Sequence, residues 1–70
     1  MAYKPIVLIG RRIRAARLAA GVSLSVAATR AGCSVMSVSE IERGLANPTI
    51  DLLQRVASAV GVTIEIRDPG

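Results

Sequence analysis

The chain has no histidine, phenylalanine or tryptophan, and only one cysteine and one tyrosine. Without histidine a zinc site is not expected, and the commonest general base is missing. The single cysteine, Cys33, excludes an internal disulfide. Its place beside Gly32 and before Ser34 reads as a small buried apolar slot rather than a nucleophile. With Tyr3 the only aromatic, the core must be isoleucine, leucine, valine and alanine, which suits close helix packing. Acidic residues number five, and none are paired at a spacing useful for acid–base work. Gly10 and Gly21 match neither nucleotide-binding fingerprint. The chain therefore reads as a non-enzyme that takes no cofactor and no metal. No apolar run reaches the ~18 residues that a membrane span needs. Tyr3 to Ile9 is apolar but short, and Arg11 and Arg12 follow it, the reverse of a secretory signal. The expected location is the cytoplasm, with the nucleoid.

What is present points to one small domain over residues 1–70. A chain of this length buries little core, so a partner subunit would help it. Nine basic residues against five acidic give a net charge of +4, and Arg11, Arg12, Arg14 and Arg17 lie within seven positions. That balance suits a polyanion partner. A net charge of this size is also ordinary for a soluble small domain, where ~2–8 is common.

The apolar spacing predicts four helices. Ile6, Ile9, Ile13, Ala16 and Ala20 recur at intervals of three and four, which reads as a helix from Pro5 or Leu8 to Ala19 or Ala20, closed by Gly21. An alternative keeps Tyr3–Ile9 extended. Ser23 is a cap for a second helix ending near Arg30 or Ala31, and Gly32 supplies the turn. Ser34 caps a third helix that stops at Gly44, with Val38, Ile41 and Leu45 on its buried side. Thr49 caps a fourth, whose buried stripe is Ile50, Leu53, Val56, Ala57 and Val60. Over 62–67 the period changes to strict alternation, which predicts a strand with one buried face. A lone strand needs a mate. Either the N-terminal segment or the same strand of a second copy supplies it, and the second copy is favoured.

Two capped helices joined at Gly32 have the layout of a helix-turn-helix, spanning 23–43, and such units most often bind DNA. Several pieces carry a closer resemblance: Ile9-Gly10, Arg12-Ile13-Arg14, Arg17, Ala20-Gly21-Val22-Ser23, Ala28, Arg30-Ala31-Gly32-Cys33-Ser34, Ile41-Glu42-Arg43-Gly44 and Asn47-Pro48-Thr49. Residues 9–62 resemble the lambda-repressor-like helix-turn-helix family, of the Cro/repressor or Xre type. The resemblance implies an all-α, four-helix DNA-binding domain, here with a short C-terminal strand. It implies a sequence-specific transcriptional regulator, a repressor or activator of a small bacterial or mobile-element operon. The partners it implies are a roughly palindromic double-stranded DNA site and a second copy of the chain.

The resemblance also implies roles for residues. Arg17 and Glu42 take the places of a structural ion pair. Val35, Met36, Ser37 and Glu40 take base-reading places, and Ser23, Arg43, Asn47 and Thr49 phosphate-contacting ones, with Arg12 added from the basic cluster. Val62, Ile64 and Ile66 belong to a strand that pairs across a dimer in similar regulators. Leu24, Val35 and Glu40 depart from the residues usual in similar proteins. Val35 and Met36 suit thymine methyls, and Glu40 suits cytosine N4. Two rivals remain: an antitoxin that also binds a toxin or another regulator, and a protein-interaction module that has lost DNA binding. No membrane partner is expected.

Overall fold

Each helix is bounded by signals a few residues long. The computed structural model describes residues 5–65, with helices α1 (Pro5–Ala19), α2 (Leu24–Ala31), α3 (Val35–Glu42) and α4 (Ile50–Ala59). Ser23, Ser34 and Thr49 sit in extended backbone, and their hydroxyl oxygens accept from the amides of Val26, Ser37 and Leu52 at 3.0–3.1 Å. Each cap satisfies one of the amides that a helix start leaves without a partner. The ends are alike too. At the tight turn Gly32 takes φ +69°, its amide donates to Thr29 O, and the Cys33 amide reaches back to Ala28 O at 3.0 Å. An L side chain rarely takes that conformation, so glycine closes α2 where the chain must reverse towards α3. The same backward bond, five residues long, closes α1 (Val22 to Arg17), α3 (Leu45 to Glu40) and α4 (Val62 to Ala57).

The helices pack α1 on α3, α2 on α3 and α2 on α4. Ile13, Val38, Ile41 and Val56 are the largest fully buried side chains, one or two from each of three helices. From α2 come only alanines, Ala27, Ala28 and Ala31, with Ala57 from α4. Small residues let these axes approach closely, and the described residues of the core include no aromatic ring. α1 meets α3 through Gly10: a Cβ there would collide with the Ile41 carbonyl oxygen and lie 3.2 Å from that of Glu42.

Three expected core positions are exposed. Leu45 is 68% exposed and Ile50 59% exposed, and Ala20 is exposed as well. Leu45 and Ala20 lie beyond their helices, where the helical period no longer aims a side chain at the core. Ile50 is the first residue of α4, and packing against the core there begins two residues later with half-buried Leu52 and Leu53. The extended alternative for Tyr3–Ile9 fails over residues 5–9, which are helical, while 1–4 lie outside the described residues. The strand expected over 62–67 has no ladder across 62–65, and 66–67 lie outside the described residues. A ladder needs a second strand, and α1 has taken the N-terminal candidate from Pro5 onward. The alternation itself survives. Val62 and Ile64 pack half-buried against the core, while Thr63 and Glu65 are exposed.

Candidate nucleic-acid interface

α3 has two faces of opposite character. Val38, Ile41 and Glu42 are buried against the other helices. Met36, Glu40 and Arg43, at spacings of four and three, share the opposite face, with Val35 and Ser37 on its flanks. Met36 is 62% exposed and Val35 45%, although both are apolar. Glu40 is half-buried beside Ser37, Asn47 and Pro48 in a shallow cleft under the α3–α4 loop, and it makes no ion pair with Arg43. Ser37 is tied to the cap: its amide donates to Ser34 Oγ, and the two hydroxyl oxygens lie 2.9 Å apart.

The inner face is pinned by a buried ion pair. Arg17 Nε donates to Glu42 Oε2 at 2.6 Å and Arg17 Nη2 to Glu42 Oε1 at 3.0 Å, a two-pronged match of guanidinium to carboxylate. Arg17 Nη1 also donates to the Val22 carbonyl at 3.1 Å, one residue before the α2 cap. One side chain therefore ties α1 to the end of α3 and to the entrance of α2. The hydrogen bond to Glu42 is the main force holding the Arg17 guanidinium above its ordinary range; burial pulls it back and the carboxylate charge adds a smaller rise. Arg17 lies four residues after Ile13, on the stripe that an apolar residue would continue. That position signals a buried, paired arginine.

Around this pair the surface is basic. Arg11, Arg14 and Arg43 line an open cleft of about 570 Å³ over the Arg17–Glu42 pair, with Leu24 at the α2 end. Arg12, the α1 residue expected to touch phosphate, is exposed but is not among the residues lining it. Ser23 and Thr49 spend an acceptor lone pair on their caps, which leaves each hydroxyl proton free to donate outward. Asn47 is exposed on the loop between α3 and Thr49.

The sequence reading missed two arginines that latch α2 to α4. Arg55 Nη1 donates to the Ala31 carbonyl at 2.8 Å and its Nε to Asp51 Oδ2 at 3.0 Å, while Arg30 Nη1 donates to the Ala59 carbonyl at 3.3 Å. Each helix thus caps carbonyls at the other's C-terminus, where a cation also opposes the helix dipole. The available signal was weak: an arginine in the last turn of α2, and Asp51 four residues before Arg55. Among the described residues there is no cluster of metal-ligating side chains, and no helix is long and apolar enough to cross a membrane.

Comparison with known proteins agrees with this architecture. The family described as "Helix-turn-helix domain" matches residues 8–69. An uncharacterized HTH-type transcriptional regulator of Mycobacterium tuberculosis is 41% identical over 57 residues, covering 81% of this chain and 41% of that protein. The HTH-type transcriptional regulator SinR of Bacillus subtilis is 40% identical over 58 residues, covering 81% of this chain and 52% of SinR. The chain thus spans about half, or less, of the length of these curated relatives. Among solved structures, the restriction-modification controller protein C.AhdI from Aeromonas hydrophila superimposes with a TM-score of 0.76 at 30% identity, covering 86% of this chain and 91% of that one.

Proposed function

The chain belongs to the helix-turn-helix domain family, and on that footing we propose that it is a sequence-specific DNA-binding transcriptional regulator acting as a homodimer. The observation that carries this reading is the division of α3. Its inner face is fixed by the Arg17–Glu42 pair, and its outer face offers Met36, Glu40 and Arg43 beside exposed arginines. A rigid helix with a free face and cationic surroundings suits the major groove. Val35 and Met36 would pack on thymine methyls, Glu40 would accept from cytosine N4, and Ser37 would contact a base edge with the capacity its cap leaves. Arg43, Asn47 and the hydroxyls of Ser23 and Thr49 would hold phosphates, which set register rather than sequence. Two copies would read a roughly palindromic site with half-sites one turn, ~34 Å, apart. Val62 and Ile64, continued by Ile66 outside the described residues, are the segment proposed to join them.

The test is a salt series of binding to genomic fragments that include the chain's own promoter. Log K should fall with log salt by about 0.9 per phosphate contacted. Arg43→Ala should weaken every sequence alike and lower that slope by about 1, whereas Glu40→Gln should change which sequence is preferred. Flat or absent binding at about 50 mM salt would sink the regulator reading. It would favour a protein-binding role for the exposed Val35 and Met36, the surface on which an antitoxin or interaction module would also draw.

A further inference from the structure

Three arginines converge on one cleft without a counter-charge. Arg11 and Arg14 stand a turn apart on α1, and Arg43 stands at the end of α3. All three are exposed, and none of their guanidinium groups takes part in a hydrogen bond or ion pair among the described residues. Beneath them Arg17 and Glu42 cancel each other, so the field in the cleft is that of three unpaired cations. Leu24, which completes the cleft on the α2 side, offers no side-chain donor or acceptor. Like charges gathered this way repel, and an anion seated among them turns that repulsion into attraction. Guanidinium groups suit a phosphate, because each presents a planar fork of donors.

We infer that this cleft seats a backbone phosphate of the DNA, held by Arg11, Arg14 and Arg43. The inference rests on the regulator reading. It adds that the duplex is gripped from α1 as well as from the helix-turn-helix. The position argues for DNA over a free anion. Arg43 belongs both to the cleft and to the outward face of α3, so a backbone flanking the groove that α3 enters runs past the cleft mouth. Arg12, next in sequence to Arg11, points about 100° away around α1 and stays outside this grip.

Arg11→Ala, Arg14→Ala and Gln54→Glu, the last at an exposed position of α4 outside the cleft, each lower the net charge by one, which makes them a matched set. Binding of the full chain to a duplex from upstream of its own gene is measured across a salt series, with thermal melting as a check on folding. Arg11→Ala and Arg14→Ala should each weaken binding about tenfold and lower the salt slope by up to about 1, for specific and scrambled duplexes alike. Gln54→Glu should leave the slope near the parent's, and all three melting curves should match the parent's. If Arg11→Ala and Arg14→Ala keep the parent's slope, the cleft holds no phosphate and the inference is overturned, while the regulator reading stands. If Gln54→Glu lowers the slope as much as the others, overall charge rather than the cleft is responsible, and the inference fails likewise. A parent chain without salt-dependent binding overturns the regulator reading, and the cleft assignment with it.

Discussion

Glu42→Ala should destabilise the domain by about 3–5 kcal/mol, because it strands a buried charge. The Glu42 side chain is 4% exposed and that of Arg17 10% exposed, so neither has water to fall back on. With the carboxylate gone, Arg17 keeps a single partner, the Val22 carbonyl at 3.1 Å. A lysine there would shed its proton to escape the penalty, but a guanidinium does not. In the native fold the Glu42 hydrogen bond raises the Arg17 value further. The sign follows: this contribution is fully present below arginine's ordinary, very alkaline range and is lost only as pH climbs beyond it, so no accessible pH relieves the variant. At about 0.05–0.15 kcal/mol per residue, a domain of this size holds roughly 4–10 kcal/mol in total. The substitution should therefore leave a large unfolded fraction at 37 °C. Replacing both partners, Arg17→Met with Glu42→Leu, should recover most of the loss, since an apolar pair of similar volume avoids the desolvation cost. Urea unfolding of the parent chain and the two variants measures this. A loss under about 1 kcal/mol for Glu42→Ala would mean that the pair is relaxed by solvent.

Gly10→Ala should destabilise as well, although helix propensity favours it. Alanine gains about 1 kcal/mol over glycine inside an exposed helix. At position 10 the new methyl would overlap the Ile41 carbonyl oxygen and crowd that of Glu42 at 3.2 Å. Both neighbours are backbone atoms, so no side-chain rotation makes room, and α1 and α3 must separate. Overpacking of this kind costs about 1–3 kcal/mol, and backbone contacts place it at the upper end. The expected net loss is about 2 kcal/mol, roughly 8–16 °C in melting temperature for a domain of this size. Because the displaced carbonyls belong to the end of α3, the Arg17–Glu42 geometry should loosen with them. A melting temperature equal to the parent's, or higher, would show that the two helices do not need this close approach.

What the sequence made legible was local. Ser23, Gly32, Ser34 and Thr49 act over three to five residues, so their roles as caps and turn could be read without knowing what packs where. The apolar period misleads where it runs past the end of its helix, as at Ala20 and Leu45, or to its first residue, as at Ile50. The closest contacts were invisible for a different reason. Gly10 matters only because α3 crosses it, and Arg30 and Arg55 matter only because α2 and α4 end beside each other. Apart from Asp51 four residues before Arg55, none of these has a signature in spacing. Arg17 lies between the two cases: its place on the apolar stripe implies burial, but only the fold brings Glu42 to it. On the outward face of α3, residue types suggest chemistry without arrangement. The structure adds that Ser37 is engaged by its cap, and that Arg11 and Arg14 share a cleft with Arg43.

Whether α3 reads DNA with its outward face is tested most directly by the backbone amide NMR shifts of the chain, followed as a duplex from its own promoter region is added. The expected changes cluster at 35–43, at Ser23 and Leu24, at Asn47 and Thr49, and on α1 at Arg11 and Arg14, while Arg30, Arg55 and Ser58 on the α2–α4 side stay unmoved. Changes centred on that α2–α4 side, with residues 35–43 silent, would contradict it.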